Sequence, residues 1–296
     1  MDDRDAFARP PQRILLATDL EAHSDRAIDR AAMLARQWQA KLHVIHVLQP
    51  GPPDNWWISG DDGASADGEA ERVERQLRRD LHDAPDDLVV HIAEGEPADR
   101  ILEIAEREGC GLVVVGTRGP IFADLVGRST TVQLLRRSPW PLLIVKARPH
   151  GAYRKVLVGT DFTPESLDGL ETAVAWFADA DFTLMHALDV PHRSLLLDAD
   201  RGQAFARLER EAMQSFVDGA RLPHGTGRRL QTEIEYGPPD LLLRRRALAN
   251  DIDLTVIGAL KRGLAFRIVV GGNATRIVEA APGDVLTVRA PPSGDT

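Results

Sequence analysis

Two glycine-rich segments with basic side chains contain the residue types that hold a phosphate group. The first is GTRGPIFADLVGRSTT, which begins at Gly116, and the second is GALKRGLAFRIVVGGNAT, which begins at Gly258. Glycines let a backbone approach a ligand closely, and free amides and hydroxyl groups at the start of a helix attract anions. We therefore predict that one or both segments bind a phosphate-bearing ligand. Neither segment is a GxxxxGK[ST] loop or a GxGxxG fingerprint.

An aspartate follows the first apolar run of each half of the chain. Asp19 follows ILLAT, and Asp161 follows VLVGT. A carboxylate at such a position accepts hydrogen bonds either from a ligand or from the turn that follows the strand. The residues alone leave both interpretations open.

These features occur twice because the chain repeats itself. Four pairs recur in the same order at a nearly constant spacing: Asp19 and Asp161, His46 and His186, Gly95 and Gly237, Gly116 and Gly258. We interpret this pattern as a tandem duplication of one α/β unit. It predicts two domains, at residues 1–148 and 149–296, with a linker near Ala147–Ala152.

Short apolar runs alternate with helical patterns in each half. Runs such as ILLA are typical of parallel strands that are covered on both faces, and Ser24 is expected to cap the first helix. Five strands and four helices in each half imply a parallel sheet with crossover helices. Ligands of such sheets bind beyond the carboxyl ends of the strands, where the chain order reverses. The aspartates and the glycine segments should flank that crevice.

The histidines and the single cysteine are predicted to be structural. We expect His46 and His186 to donate to backbone carbonyl groups. His43 and His46 are three residues apart on a strand and so point to opposite faces, which makes them a poor metal pair, and we predict no metal site. Cys110 is expected to be a small core residue, without a disulfide or a thiolate cluster.

The composition argues against several classes of partner. Lys and Arg number 36 against 45 Asp and Glu, and the net charge of −9 disfavours binding to nucleic acid or to an anionic membrane. One cysteine indicates a reducing, cytoplasmic setting. The segment MDDRDAFARPPQ lacks the apolar core of a signal peptide, and no apolar run has the length of a membrane span.

The duplicated pattern resembles the universal stress protein family over nearly the whole chain. The marks are TD after the first strand, His on the second strand, G-x-P before the third helix and a glycine segment after the fourth strand. The resemblance implies an α/β fold of two tandem Rossmann-like domains. Each would have a five-stranded parallel sheet in the order 3-2-1-4-5, with helices on both faces. It also implies ATP as ligand, with Mg as a possible companion, because ATP-binding members carry G-x2-G-x9-G-[ST].

The resemblance assigns ligand contacts by position. In the first domain, the residues facing adenine, ribose and phosphates would be Thr18, Asp19, Val47, Gly116, Gly119, Gly127, Arg128, Ser129 and Thr130. Their equivalents in the second domain would be Asp161, Ala187, Gly258, Lys261, Gly271, Gly272 and Asn273. Both copies depart from the motif: Arg128 stands at a usual glycine in a loop one residue short, and Lys261 replaces the second glycine. The first domain is favoured slightly, because it keeps its hydroxyl residues.

The resemblance implies a cytoplasmic stress-response protein that binds or senses an adenine nucleotide. Its domains would pair through their last strands, PLLIVKA and DVLTVRA, and two chains would form a homodimer that contacts a further protein. We expect no enzyme, although Asp19 or Asp161 could orient water for slow ATP hydrolysis. One alternative is a scaffold, or a binder of a small apolar ligand, that takes no nucleotide. Another is an adenylating enzyme, which would require a motif such as SGGxDS; TDLEAHSD and TDFTPESL do not supply it.

Overall fold

A computed structural model describes residues 9–48, 66–81, 88–117, 129–188, 199–258 and 273–289. The chain divides into two compact units. The N-terminal unit comprises Pro11–Ser138 and Leu142–Ala152, and the main segment of the C-terminal unit is Tyr153–Thr296. The change from one unit to the other falls a few residues beyond the boundary predicted between residues 148 and 149.

The N-terminal unit is a parallel sheet with crossover helices. Its strands pair in the order β3-β2-β1-β4-β5. The elements in chain order are β1 (Arg13–Ala17), α1 (Asp25–Trp38), β2 (Lys41–Leu48), α2 (Ala66–Asp80), β3 (Val89–Glu94), α3 (Pro97–Arg107), β4 (Leu112–Gly116), α4 (Thr130–Arg137) and β5 (Leu142–Val145).

The C-terminal unit repeats this plan, and its strands pair in the equivalent order β8-β7-β6-β9-β10. A short 3-10 helix, Thr226–Arg228, precedes β8. The elements are β6 (Lys155–Thr160), α5 (Pro164–Trp176), β7 (Asp181–Leu188), α6 (Ala199–Asp218), β8 (Leu230–Tyr236), α7 (Pro239–Ala249), β9 (Leu254–Gly258), α8 (Asn273–Ala280) and β10 (Asp284–Val288). The predicted α/β fold and its strand order are confirmed.

The core of each unit consists of consecutive apolar residues of the central strands. Ile14, Leu15 and Leu16 of β1 are all fully buried, which requires cover on both faces of the sheet. Val156–Val158 of β6 are buried in the same way. Helix α1 adds to the N-terminal core a stripe of buried small and apolar residues, which includes Ala27, Ile28, Ala31, Leu34 and Ala35.

Each sheet reverses its chain order beside its first strand. β1 lies between β2 and β4, and the pairing of Ala17 with Val115 places Asp19 close to Gly116. In the other unit, the pairing of Gly159 with Ile257 places Asp161 close to Gly258. The aspartates and the glycines therefore end neighbouring strands at the point where α/β sheets bind their ligands. Within the described ranges, no helix combines the length and apolarity that a bilayer span requires.

Candidate functional site

A threonine-aspartate loop follows the first strand of the N-terminal unit and is fixed by two polar contacts of Thr18. His46 Nδ1 lies 2.9 Å from the Thr18 carbonyl oxygen, as predicted for a structural histidine. Thr18 Oγ1 accepts a hydrogen bond of 3.1 Å from the amide of Leu20. Leu20 has a φ of 63°, a left-handed conformation that a residue with a β-carbon rarely adopts. The loop is thus held in one conformation from both sides.

The C-terminal unit builds the same loop from the equivalent residues. His186 Nδ1 lies 2.7 Å from the carbonyl oxygen of Thr160, and Thr160 Oγ1 accepts a 3.0 Å hydrogen bond from Phe162. Phe162 has a φ of 62°. A left-handed residue other than glycine costs on the order of 1–3 kcal/mol and persists only where its surroundings hold it. Both units carry this cost at the switch point of the sheet.

Asp19 is occupied by its own loop. Its Oδ1 accepts from the Glu21 amide at 3.1 Å and from Ser24 Oγ at 2.7 Å, and its Oδ2 lies 3.0 Å from His23 Nε2. The turn-capping interpretation of this aspartate is confirmed. Ser24 is the N-cap residue of α1, as predicted, but it has helical backbone angles and makes no side-chain capping bond. Its hydroxyl donates to Asp19 instead.

Asp161 is bound less completely. Its Oδ1 accepts from the amide of Thr163 at 3.2 Å and from Thr163 Oγ1 at 2.5 Å. Thr163 also caps α5, which begins with Pro164. Among the residues that the structure describes, no hydrogen-bond or ion-pair partner reaches Asp161 Oδ2. The C-terminal unit therefore keeps a carboxylate oxygen that a ligand could use.

Gly116 and Gly258 pack against the backbone that follows the first strand. A β-carbon on Gly258 would lie 2.3 Å from the carbonyl oxygen of Glu165 and 2.6 Å from the amide nitrogen of Ser166. A β-carbon on Gly116 would lie 3.2 Å from Ser24 Cα. These glycines are required, or favoured, by the close approach of strand and loop. Their presence is explained without the ligand approach that the sequence suggested.

The remaining predicted site residues are only partly described. Ser129 is the N-cap of α4, and its side chain makes no capping hydrogen bond, so it leaves the first amides of the helix uncapped. Thr130 opens that helix. Val47 and Ala187 are half-buried near the ends of β2 and β7. Asn273 is the first residue of α8. The predictions for Gly119, Gly127, Arg128, Lys261, Gly271 and Gly272 lie outside the described residues.

An aromatic cluster beside the C-terminal loop was missed from the sequence. The ring of Phe162 stacks on His186 with a centroid distance of 4.1 Å and contacts Phe216 at 5.6 Å. His186 Nε2 lies 3.6 Å from Glu209 Oε2 of α6. Phe216 and Glu209 both belong to α6, and no local motif in that helix indicates a position over the loop. Leu20 takes the place of Phe162 in the N-terminal unit, so the two loops differ in what covers them.

A second polar cluster, also missed, lies on β2, β3 and the end of α3. His43 Nδ1 is 3.1 Å from His91 Nε2 and 3.9 Å from Glu108 Oε2, and the two imidazole rings are stacked. Burial, followed by the nearby positive charges, lowers the pKa of both histidines. A hydrogen bond from Arg107 lowers the pKa of Glu108. The sequence suggests only His46, on the same strand, as a partner of His43, whereas the partners in the structure lie on β3 and directly after α3.

Cys110 is a buried core residue, as predicted. Burial, together with the negative charge of Glu108, raises the pKa of its thiol to about 12. The thiolate is the reactive form of cysteine, so this side chain is inert in the folded protein.

The fold and the loops define a duplicated α/β protein with a polar site at each switch point. The model of the universal stress protein family matches residues 11–146 and 152–289, and the chain belongs to this family with two copies of its domain. It is 31% identical to universal stress protein A homolog 1 of Coxiella burnetii, over 36% of this chain and 77% of that protein. It is 28% identical to universal stress protein YxiE of Bacillus subtilis, over 45% of this chain and 98% of that protein.

Solved structures share the tandem fold along nearly the whole chain. A universal stress protein from Archaeoglobus fulgidus aligns with a TM-score of 0.68 at 17% identity, covering 97% of this chain and 99% of that one. A putative universal stress protein from Pseudomonas aeruginosa aligns with a TM-score of 0.67 at 22% identity, covering 96% and 95% of the two chains. At identities this low, the structural similarity establishes a common fold and nothing more specific.

Proposed function

We propose that the protein binds an adenine nucleotide, with ATP as the first candidate, at the switch point of one or both units. It acts as a stress-response binding protein whose output is a contact with another protein, and not as an enzyme. The observation that carries the proposal is the position of the threonine-aspartate loop at the switch point of the sheet, where Asp161 has a carboxylate oxygen that no described residue engages. Membership of the universal stress protein family supports the stress-response role.

The loop has the properties of a prepared binding site. It lies where parallel sheets take their ligands, and both copies maintain a strained residue, Leu20 or Phe162, that a plain connection would avoid. In the N-terminal unit, the start of α4 and its N-cap residue Ser129, whose side chain makes no capping hydrogen bond, supply a place for phosphate oxygens. Base, ribose and phosphates would then follow the carboxyl edge of the sheet from β2 to α4.

The two units differ in what they offer a nucleotide. Asp161 retains an oxygen that can accept a hydrogen bond from a ribose hydroxyl, whereas both oxygens of Asp19 are engaged by Glu21, Ser24 and His23. A ligand that used Asp19 would have to displace His23. The aspartate contacts thus favour the C-terminal unit, while the hydroxyl residues before α4 favour the N-terminal unit.

The first test is the nucleotide content of purified, tag-free protein, measured by mass spectrometry after denaturation. It is followed by calorimetry of the nucleotide-free protein with Mg-ATP. Near one or two equivalents of ATP or ADP is the expected result and gives the number of sites. An extract without nucleotide, together with no calorimetric response to Mg-ATP, would refute the proposal.

Asparagine variants identify the unit that binds. Asp161→Asn keeps Oδ1 as the acceptor for Thr163 but replaces Oδ2 with an amide that donates. A lost hydrogen bond to a charged group is worth roughly 1.5–3 kcal/mol, so we expect about 10- to 100-fold weaker binding at the second site. Asp19→Asn serves as the counterpart, and Asp29→Asn on the exposed face of α1 is the matched control. Unchanged affinity in Asp161→Asn, with altered affinity in Asp19→Asn, would assign binding to the N-terminal unit.

A scaffold that takes no nucleotide is the second candidate. It is favoured by the complete satisfaction of Asp19 within its own loop and by glycines that strand packing already explains. Under this alternative, Mg-ATP would leave the melting temperature of the protein unchanged. The buried free thiol of Cys110 agrees with the reducing, cytoplasmic setting that we propose for either function.

A further inference from the structure

We propose that His43, His91 and Glu108 form a binding site for a divalent transition-metal ion of the zinc class, separate from the proposed nucleotide site. Two imidazole nitrogens and one carboxylate oxygen are a ligand set that Zn²⁺ uses when it keeps a fourth position open. Mg²⁺ and Ca²⁺ prefer oxygen ligands and would not select this cluster.

The spacing of the ligand atoms matches a metal centre. Zinc–nitrogen distances of about 2.0–2.1 Å in tetrahedral geometry place two imidazole nitrogens roughly 3.3 Å apart. His43 Nδ1 and His91 Nε2 are 3.1 Å apart, and Glu108 Oε2 is 3.9 Å from His43 Nδ1. The three ligand atoms lie within 4.8 Å of one another. To bind an ion, the two imidazole rings would turn so that both nitrogens point at the ion instead of at each other, and the partly exposed Glu108 carboxylate would supply the third ligand.

The hydrogen bonds of the cluster fix the state of its imidazoles. Arg107 Nη2, which can only donate, lies 3.3 Å from His91 Nδ1, so His91 carries its hydrogen on Nε2 and donates to His43 Nδ1. We infer that neutral His43 carries its own hydrogen on Nε2. Its Nδ1 then carries the lone pair that a metal ion requires.

His43 also destabilises the core. Its side chain is only 3% exposed, and Nε2 is buried with no hydrogen-bond partner among the described residues. An unpaired buried donor costs on the order of 1–3 kcal/mol, which an apolar side chain at this position would avoid. Packing of the sheet alone therefore does not explain this histidine. The atom that we assign to the metal ion is its Nδ1, and not the unpaired Nε2.

The fold does not need the cluster, because the duplicated unit lacks it. Aligned through His46 and His186, His43 corresponds to Thr183. Aligned through Gly95 and Gly237, His91 and Glu108 correspond to Glu233 and Asn250. Glu233 forms an ion pair with Arg246 instead. The same sheet thus forms with and without the two histidines, and the site is a property of the N-terminal unit alone.

The cluster is open to solvent on one side and lies apart from the nucleotide crevice. A depression of about 420 Å³ over β3 and α3 is lined by His91, Glu94, Arg100, Glu103 and Arg107. His43 stands near the amino end of β2, whereas the threonine-aspartate loop follows the carboxyl end of β1. An ion can enter beside His91 without crossing the core.

Positive charge next to the cluster lowers its affinity for a metal ion. Arg107 donates to Glu108 Oε1 at 3.0 Å as well as to His91, and Lys41 and Arg13 also act on the histidines. When His91 Nε2 binds an ion, its hydrogen moves to Nδ1, where it opposes the Arg107 donor. Arg107→Gln removes this charge, and the glutamine oxygen can accept from Nδ1–H, as an acceptor beside a metal-bound histidine ring usually does.

The test is a Zn²⁺ titration of tag-free, full-length protein by calorimetry with a competing chelator, without nucleotide. We expect one equivalent at the cluster, at least tenfold weaker affinity in His91→Gln and in Glu108→Gln, and tighter binding in Arg107→Gln. His224→Gln, an exposed histidine of the C-terminal unit, is the matched control and should bind like the parent. Mg²⁺ should give no heat that depends on His91.

Two results would overturn the proposal. One is the absence of Zn²⁺ binding in a parent protein whose circular dichroism and melting curve show that it is folded. The other is binding that survives unchanged in both His91→Gln and Glu108→Gln, which would place the ion elsewhere. Because no nucleotide is present, neither result bears on the ATP proposal.

Discussion

Gly258 and Gly116 are equivalent glycines that should respond very differently to the same substitution. In Gly258→Ala, the new methyl group would lie 2.3 Å from the Glu165 carbonyl oxygen and 2.4 Å from its carbonyl carbon. These are backbone atoms at the start of α5, which cannot turn aside as a side chain could. In Gly116→Ala, the nearest atoms are Ser24 Cα at 3.2 Å and the His23 carbonyl oxygen at 3.3 Å, which need move by only a few tenths of an ångström.

The magnitudes follow from packing and from the unfolded chain. Overpacking a core costs typically about 1–3 kcal/mol, and the overlap at Gly258, of roughly 1 Å, belongs at the upper end or above it. Alanine also restricts the unfolded chain, which stabilises by about 0.4–1 kcal/mol where the backbone angles allow it. We expect Gly258→Ala to destabilise its unit by about 2–3 kcal/mol and Gly116→Ala to be close to neutral.

Hydrogen exchange with mass spectrometry is the appropriate assay, because it reports on each unit separately. Peptides from β9 and α5 should exchange about 30-fold faster or more in Gly258→Ala, since 2 kcal/mol corresponds to that factor. Peptides from β4 and α1 should be unchanged in both variants. Equal protection in the two variants, or protection of β9 at the parent level in Gly258→Ala, would refute the close approach of β9 and α5.

Three further perturbations test other contacts of the structure. His186→Ala removes the bond to the Thr160 carbonyl oxygen and the ring beneath Phe162, and should destabilise the C-terminal unit by roughly 1–3 kcal/mol; a melting temperature equal to that of the parent would contradict this. Cys110, with its thiol pKa near 12, should react with a thiol reagent at pH 8 only as fast as the protein unfolds, whereas rapid labelling of native protein would show an accessible thiol. Because the pKa values of His43 and His91 are lowered in the folded protein, the unfolded chain binds more protons. Their contribution to stability is therefore full above about pH 6.5 and is lost as the pH falls toward the pKa values of the folded state. Unfolding titrations should show that stability falls less steeply with decreasing pH in His91→Gln than in the parent.

The strands and their order could be predicted because each depends on local pattern and on connection rules. Apolar runs such as Ile14–Leu16 require cover on both faces, and helices between them force parallel pairing. The role of His46 could also be predicted, since a single buried ring on a strand needs one acceptor, and the neighbouring strand supplies the Thr18 carbonyl oxygen. In these cases, one element and its nearest neighbour determine the contact.

The contacts that could not be predicted either join three elements or depend on differences in spacing that are smaller than one ångström. His43 meets His91 through the register of β2 with β3, and meets Glu108 only because α3 ends there. Ser24 was expected to cap α1, but the Asp19 carboxylate lies within reach and is the stronger acceptor for its hydroxyl. The clash at Gly258 depends on how closely α5 approaches β9, which the sequence does not encode in any single motif.

Duplication separates what the fold requires from what one unit alone contains. The bonds from His46 and His186 to threonine carbonyl groups recur in both units, as does the glycine that ends the fourth strand, and both have structural explanations. Their recurrence is therefore weak evidence for a ligand, because a copied fold copies its supports. The differences are more informative: within the described part of the chain, Asp161 has an oxygen without a partner whereas both oxygens of Asp19 have one, and the cluster of two histidines and a carboxylate lies in the N-terminal unit. If each unit has its own ligand, the differences should map onto different binding: nucleotide through Asp161 and a transition-metal ion through His91. Variants in one unit should then leave the affinity of the other unchanged.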